Sequence, residues 1–296
     1  MSAPDTLTLA SLRTARFNGP QLGVLGDPIA HSLSPAMHNA AIAALVPKHP
    51  HLCGLQYHRL HITADELPEA LRLLHTAGFI GVNLTVPHKI AALTLTASLS
   101  PAAQRAASVN TLVRTPNGWD GHTTDGPGFL AALRENSGGT VQGREVVLLG
   151  SGGAARAVAT ACLDAGCTTL RVYNRDRQRA ADLALALGDP RVTAAGLDEI
   201  IAPAGDAVII NCTVLGLKSS DPSAFPAALL KPGQFVFDTT YGQTTSRLLL
   251  DAQALGVSHA DGRAMLRWQG ALAFQLWTGI LPPASPMRHA LGEKAA

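Results

Sequence analysis

Aromatic residues are scarce in this chain of 296 residues, at 4%, and charge is thin, with 15% Asp, Glu, Lys and Arg and a formal net charge of +2. A polyanion is gripped by dense Lys and Arg and stacked upon by aromatic rings, so nucleic acid is not an expected partner. No apolar run approaches the ~18 residues that a membrane helix needs. Met1 to Pro20 also lacks the compact apolar core of a secretory signal. A membrane is therefore not an expected partner, and the expected compartment is the cytoplasm. The 4 cysteines, Cys53, Cys162, Cys167 and Cys212, form no CxxC pair and are too sparse for a disulfide framework, which leaves them as reduced, packed thiols. His49, His51, His58 and His61 lie close in sequence, but their spacing fits neither HExxH nor a zinc finger, and no metal is expected.

Hydrophobic residues, by contrast, make up 47% of the chain, including alanine-rich helical stretches such as Ala180 to Leu187. That is a globular composition, and the length suits two domains of roughly 100 to 200 residues. Residues 1–21 read as a flexible extension. Residues 22–125 alternate short strands and helices: Leu22 to Leu25, a helix after Pro35, Leu55 to Ile62, a helix near Asp65 to Ala77, and Phe79 to Val86. Thr63 and Glu66 form a capping box for the second helix, and Gly78 stands where a left-handed C-cap is wanted. Residues 126–261 change character. Glu145 to Leu149, Leu170 to Tyr173, Val192 to Ala194, Ala207 to Asn211 and Gln234 to Asp238 are apolar strands separated by helices or loops, the rhythm of a doubly wound parallel sheet. Met265 to Trp277 has helical spacing, and residues 262–296 are expected to return to the first domain.

The strand Glu145 to Leu149 runs directly into GSGGAARA, which supplies Gly150, Gly152 and Ala155 as GxGxxA at the opening of a helix. Glycine lets the backbone approach a pyrophosphate, and the helix N-terminus adds amide donors and the positive end of its dipole. Gly150, Ser151, Gly152, Gly153 and Ala154 are the expected dinucleotide contacts. About 20 residues further on, where an NAD enzyme places an acid on the ribose, the next strand ends in Asn174 and Arg175, with Arg179 a helical turn later. A guanidinium pair suits a 2′-phosphate by charge and by bidentate geometry, which favours NADP over NAD and leaves dual use as the rival. A solvated helix start is the plain alternative for these arginines. Asp176 reads as the N-cap of the following helix.

Two polar constellations in the first domain exceed what a core needs: Ala30-His31-Ser32-Leu33-Ser34-Pro35 and Asn83-Leu84-Thr85-Val86-Pro87-His88-Lys89. Ser34-Pro35 is by itself a good helix start, serine capping and proline at the first turn, but that leaves Ser32 unexplained. Two hydroxyls facing one point can bind a carboxylate without a neutralising cation. Lys89 follows a strand and a proline, so its ammonium ends a rigid element, although a surface lysine is the default for any single Lys.

GDPIAHSLSPAMHN, GVNLTVPHK, ASVNTLVR, TTDGPG, GSGGAARA, NRDRQRA, DTTY and DGRAMLRWQGALAFQLWTG occur in that order, and from about Leu22 to Leu281 the chain resembles the shikimate dehydrogenase family. The resemblance implies an α/β fold: an N-terminal α/β substrate domain, a doubly wound Rossmann NADP domain and a C-terminal helix returning to the first. It implies reversible NADP-dependent reduction of 3-dehydroshikimate to shikimate, a step toward aromatic amino acids, by a monomer or homodimer whose partner is this small molecule. Ser32 and Ser34, with Tyr241, would bind the carboxylate; Thr85, Asn110 and Gln269 the ring hydroxyls; Lys89 and Asp125 would be the catalytic pair. Gly262 would lie near the nicotinamide, and Asn211 and Thr213 would line the cofactor side. Lys89 would stabilise and protonate the oxygen that gains negative charge as hydride arrives.

The chain departs from the family pattern in three places. Thr123-Thr124-Asp125 stands for Asn-Thr-Asp, Gly242 to Ser246 lacks the usual prolines, and Arg267, Trp268 and Gly270 replace more usual residues beside Gln269. Two rival readings differ in function. A quinate/shikimate dehydrogenase shares the fold, and relatives that favour quinate carry a bulkier hydroxyl residue where Ser34 stands. A non-catalytic NADPH-sensing module would have lost Lys89 or Asp125, and both are present.

Overall fold

The computed structural model describes residues 6–242 and 244–293. The chain divides into two compact units, Met1–Thr124 with Gln269–Ala296, and Asp125–Trp268. In order, the first unit holds β1 (Leu7–Thr8), α1 (Leu9–Thr14), β2 (Gln21–Gly26), α2 (Ser34–Leu45), β3 (Gln56–His61), α3 (Leu67–Thr76), β4 (Phe79–Leu84), α4 (His88–Ala91), β5 (Ser98–Leu99), α5 (Pro101–Ala106), β6 (Thr111–Thr115) and β7 (Gly118–His122). The second holds α6 (Asp125–Ser137), β8 (Glu145–Leu149), α7 (Gly153–Asp164), β9 (Thr169–Asn174), α8 (Arg177–Leu187), β10 (Val192–Gly196), β11 (Val208–Asn211), β12 (Phe235–Asp238), α9 (Arg247–Ala254) and β13 (Ser258–Ala260). The helix α10 (Arg263–Thr278) begins in the second unit and continues in the first, which ends with α11 (Ala284–Leu291). The return to the first unit thus starts at Gln269 and not at 262: Ala264 and Met265 belong to the second unit's core, and Arg267 and Trp268 bind Glu135 there.

The first sheet has seven strands in the order β1-β3-β2-β4-β6-β7-β5. Its β1, β3, β2 and β4 run parallel, and β6 turns the direction by pairing antiparallel with β4 and β7. Alternation along β2 divides the core. Leu22 and Val24 join Ile42, Leu45 and Phe274 on one face, and Leu25 joins Leu60, Leu67 and Leu71 on the other. The β6–β7 hairpin, which the sequence pattern does not announce, turns through Pro116-Asn117, and Gly118 opens β7 at φ +128°.

Four expectations are corrected here. The N-terminal segment is no loose extension from residue 7 onward. Leu7 and Thr8 pair with Leu60 and His61, Thr8 caps α1, Leu9 and Leu12 are buried, and Arg13 bonds Glu69; residues 1–5 lie outside those described. The second helix begins at Leu67, because only the Glu66 half of the box forms, its carboxylate accepting from Thr63 N–H at 2.9 Å. Ser34 is the first residue of α2 and makes no capping bond, since Leu33 occupies the cap position in helical conformation. Of the thiols, Cys53 is exposed, not packed, while Cys162 and Cys167 are buried. Gly78 does take the left-handed conformation, at φ +83°.

The second sheet has six parallel strands in the order β10-β9-β8-β11-β12-β13, the Rossmann arrangement. The winding reverses between β8 and β11, so the carboxyl ends of these two strands flank the topological switch point. Strands buried on both faces explain their continuous apolar runs: Val146 and Leu148 face Phe129 and Val158, Val147 and Leu149 face Leu248 and Ala252. Among the described residues no helix is long and apolar enough to cross a membrane, and no three His, Cys, Asp or Glu side chains gather as a metal cluster.

His38 of α2 is fully buried, stacked on Tyr57 at 4.1 Å, with neither ring nitrogen hydrogen-bonded. Burial lowers its pKa from 6.5 to about 3. The unfolded chain takes up a proton near pH 6.5 that the folded chain refuses, so this contribution to stability is complete above 6.5 and is lost as pH falls toward 3. His38→Phe, which keeps the stack, should therefore lose about 1 to 2 kcal/mol less than the wild type between pH 7 and pH 5 in urea unfolding. Equal slopes for the two proteins would mean that His38 is charged inside the fold.

Candidate active site

In the first unit the two polar constellations lie side by side at the carboxyl ends of the adjacent parallel strands β2 and β4. The strand ladder continues past them: Thr85 N–H donates to the Leu25 carbonyl and Asp27 N–H to the Val86 carbonyl, both at 2.9 Å. Gly26 makes this possible, because a Cβ there would stand 2.5 Å from Thr85 Cγ2 and 3.1 Å from the Val86 carbonyl. Ser32 sits in a turn closed by its N–H on the Ile29 carbonyl at 3.0 Å, and Ser34 begins α2, its hydroxyl released from capping. Arg59 Nη2 donates to the Ser32 carbonyl at 2.9 Å, so a guanidinium lies beside the serine turn. Lys89 is carried by α4, whose frame is fixed by His88 N–H on the Thr85 carbonyl, His88 Nε2 on the Ile62 carbonyl and the Lys89 carbonyl accepting from Val109 N–H, all at 2.8 Å.

Asn110 is brought beside this edge by its own backbone, whose carbonyl accepts from Leu84 N–H at 2.8 Å. Its amide is oriented by Thr124 N–H, which donates to Oδ1 at 2.7 Å, and its Nδ2 donates to Thr124 Oγ1 at 2.9 Å and to Gln269 Oε1 at 3.2 Å. Asn110 and Gln269, 159 residues apart, are thus in direct contact. Asn83, present in the motif but given no role by it, supports them from below: Oδ1 accepts from Tyr57 Oη at 2.7 Å and Nδ2 donates to the Asn110 carbonyl and Thr111 Oγ1.

In the second unit Gly150 ends β8 at φ +104°, and a Cβ there would stand 2.9 Å from the Cys212 carbonyl, so the turn needs glycine on conformational and steric grounds. Gly152 is the N-cap of α7 without a side-chain cap, and open space lies where its Cβ would be. Ser151 Oγ accepts from Asn174 Nδ2 at 2.7 Å, joining the turn to the end of β9. Arg175 is exposed, and Asp176 caps α8 as expected, accepting from Gln178 and Arg179 N–H. Arg179 also lies 3.5 Å from the Asp176 carboxylate, which takes up part of its charge, so the arginine pair is uneven.

Asp125 is the first residue of α6 and is buried; a Cβ on Gly126 would stand 2.6 Å from the Ala157 carbonyl, so glycine is what lets this end of α6 lie against α7. Burial and the nearby Asp125 push the Tyr241 phenol up to about 12, so that, like an ordinary phenol, it is protonated and able to donate at neutral pH. Gly262 packs on backbone: its N–H donates to the Thr240 carbonyl at 3.0 Å, and a Cβ would collide with the Thr239 carbonyl. Asn211 is fully buried with its whole amide engaged, Nδ2 to Asp238 and to the Leu215 carbonyl, Oδ1 from the N–H and hydroxyl of Thr213. Its place is therefore behind Thr213, not facing a ligand. A groove of about 940 Å³ in this unit, lined by Leu215, Phe225, Thr244 and Leu250, contains none of the expected site residues.

Comparison with known proteins shows the family. The family described as shikimate dehydrogenase substrate binding domain matches residues 24–112, shikimate / quinate 5-dehydrogenase matches 132–215, and shikimate 5'-dehydrogenase C-terminal domain matches 262–291. A shikimate dehydrogenase (NADP(+)) of Symbiobacterium thermophilum is 40% identical over 289 residues, 94% of this chain and 95% of its own. One from Rubrobacter xylanophilus is 41% identical over 278 residues, 91% and 94% of the two chains. The chain belongs to the shikimate dehydrogenase family. A crystal structure of the shikimate 5-dehydrogenase from Thermus thermophilus, in complex with NADP(H) and shikimate, superposes with a TM-score of 0.81 at 40% identity, covering 92% of this chain and 98% of that one.

Against the shikimate dehydrogenase pattern, the departures acquire physical accounts. Thr123 is buried with its hydroxyl unpartnered. Gln243 lies outside the described residues, and the Gly242 carbonyl beside it is held by Arg263 Nη2 at 2.7 Å. Gly270 lets α10 approach α2, since a Cβ would collide with Met37 Cε and stand 3.1 Å from His38 Nε2. Arg267 and Trp268 form a set with Glu135 of α6: the guanidinium donates at 2.6 Å, the indole at 2.8 Å, and the guanidinium lies 5.3 Å from the indole ring. Arg267 is only 1% exposed, so Glu135→Ala would leave a buried cation short of its counter-charge and should cost about 2 to 4 kcal/mol in urea unfolding. A loss under about 1 kcal/mol would show that other partners satisfy Arg267.

Proposed function

We propose that this chain reversibly reduces 3-dehydroshikimate to shikimate with NADPH, the shikimate-pathway step toward aromatic amino acids. The observation that carries the reading is the lacing of the ends of β2 and β4, Thr85 to Leu25 and Asp27 to Val86, from which the Ser32–Ser34 and Thr85–Lys89 segments lead, in a chain of this family. Hydroxyl, amide and ammonium groups are thereby gathered at one sheet edge, which a polyhydroxylated carboxylic acid requires.

The residues fit the cofactor. The glycine turn after β8, the uncapped start of α7 and the exposed Arg175 suit a pyrophosphate and a 2′-phosphate. Ser151, Gly152, Gly153 and Ala154 would hold the pyrophosphate, Asn174, Arg175 and Arg179 the phosphorylated ribose, and Thr213 and Gly262 the nicotinamide side. NADPH supplies the hydride when bound. Lys89 stabilises the charge that grows on the ketone oxygen and delivers the proton to it; in the reverse direction it takes that proton back. Asp125, the second member of the proposed catalytic pair, accepts from a neighbouring hydroxyl of the substrate. Ser32, Ser34 and the protonated Tyr241 donate to the carboxylate, while Thr85, Asn110 and Gln269 bind ring hydroxyls. Composition supports cytoplasmic work on a small molecule without a nucleic-acid or membrane partner, and the reading includes a monomer or homodimer.

Steady-state rates with shikimate and quinate against NADP and NAD test the reading. Shikimate with NADP should give the highest kcat/KM; no turnover of that pair, or a higher value for quinate, overturns it. Lys89→Ala should lower kcat by about 10²-fold or more with KM within a few-fold, because the lost interaction is made mainly in the transition state. Wild-type turnover would remove Lys89 from the chemistry. Arg175→Ala should raise the KM for NADP by about tenfold and spare NAD, with a smaller effect for Arg179→Ala, whose guanidinium Asp176 already engages. An unchanged preference would move the phosphate contact elsewhere.

A further inference from the structure

Asp238 ends β12 with no exposed surface. Its carboxylate is met by four neutral donors: Asn211 Nδ2 at 2.9 Å, Thr240 N–H at 3.0 Å and Thr240 Oγ1 at 2.8 Å on Oδ1, and Ser246 Oγ at 2.5 Å on Oδ2. Burial pushes the carboxyl above its ordinary range, and the donors work against that shift. A core would place an aliphatic side chain at such a strand end, as β8 does with Leu149, since burying a bare carboxylate carries a desolvation cost that packing does not require.

The origin of the donors gives the reason for a carboxylate. Asn211 belongs to β11 and holds Thr213 by both its N–H and its hydroxyl. Thr240 immediately precedes Tyr241, and its carbonyl accepts from Gly262 N–H at 3.0 Å. Ser246 caps α9 and closes the 239–246 loop. Gly216 is pressed into the same knot, where a Cβ would stand 2.8 Å from Ser246 Cβ and 3.0 Å from Thr240 Oγ1. One anion therefore fixes, through a single intervening residue each time, Thr213, Tyr241 and Gly262.

We propose that Asp238 is a positioning residue of the reaction, setting Tyr241 for the substrate carboxylate and Thr213 and Gly262 for the nicotinamide side, an inference that rests on the function proposed above. It touches no reactant and acts only through its four donors. Asparagine can keep most of the knot: its Oδ1 accepts three of the bonds, and the Ser246 hydroxyl turns to accept the fourth. Alanine removes every acceptor.

The test is a double-mutant cycle read by shikimate KM, kcat and the NADPH dissociation constant from nucleotide fluorescence. Asp238→Ala should raise the shikimate KM about tenfold and the NADPH Kd about fivefold, with a smaller change in kcat, and Asp238→Asn should restore both constants to within about threefold. In a Tyr241→Phe background, Asp238→Ala should alter the shikimate KM by less than about twofold, because the group it positions is already gone. The proposal is overturned by fully multiplicative effects of the two substitutions, or by a folded Asp238→Ala protein whose KM and Kd stay at wild-type values. If circular dichroism shows that Asp238→Ala does not fold, Thr240→Val takes its place in the cycle, with about threefold expected on KM and the same two overturning results. A wild-type chain that fails to turn over shikimate sinks the function proposed above, and the NADPH titrations of the same variants then decide this inference alone.

Discussion

The last peptide groups of a parallel strand have no partner within the regular ladder, and what they find instead determines where the following side chains go. In this chain they find the neighbouring strand's loop. Thr85 N–H reaches Leu25 and Asp27 N–H reaches Val86 in the first unit; Gly150 N–H reaches Tyr173, Cys212 N–H reaches Leu149 and Thr239 N–H reaches Asn211 in the second. Each bond extends a sheet by one rung beyond its regular end and turns a loop into a fixed platform. Ser32, Thr85, Lys89, Gly150, Thr213 and Tyr241 all stand on or beside such rungs, which is how loops of ordinary length hold polar groups as firmly as strands do.

Glycine is what these rungs demand at their crowded points, and that makes part of the site legible in the sequence. Gly150 and Gly152 announce the turn after β8 because strand, glycine and helix follow in the required order. Gly26 and Gly262 carry no such signal: the atoms they avoid, Val86 carbonyl and Thr239 carbonyl, lie far along the chain from the first and at a loop of unread geometry for the second. Strands β8, β11 and β12 are equally legible, since burial on both faces writes an apolar run, whereas the short β13, exposed at Ser258 and His259, is not. The antiparallel hairpin of β6 and β7 is not, because Thr111–Thr115 and Gly118–His122 alternate polar and apolar residues weakly, and only Pro116-Asn117 marks the turn. Leu7–Thr14 escapes for a related reason: two strand residues and one short helix carry too little periodicity to stand out, and their stability comes from packing Leu9 and Leu12 against the sheet.

Side-chain networks mark the deeper limit of what spacing can say. Asn110 and Gln269 are named separately by their motifs, yet their contact depends on α10 bringing position 269 to the edge of β6, and no periodicity encodes that. Asn211, expected to face a ligand, proves to be spent on Thr213, Leu215 and Asp238. The residue type is informative while its direction is not: an asparagine at a strand end can serve either the cavity or the loop behind it, and the count of its bonds decides.

Two buried charges show how differently the second unit satisfies such groups. Arg267 is met by an opposite charge, Glu135, and an indole shares both. Asp238 is met by neutral donors only, each of which has a further task at Thr213, at the Thr240 carbonyl that receives Gly262, or at the cap of α9. A salt bridge would satisfy the carboxylate as well but would engage one element, because a single cation supplies both its charge and its donors. Four dipoles drawn from three chain segments accept a larger desolvation cost and in exchange register those segments to one another to within a hydrogen bond's tolerance. That registration, rather than stability, is what a strand end placed between Thr213 and Tyr241 has reason to supply.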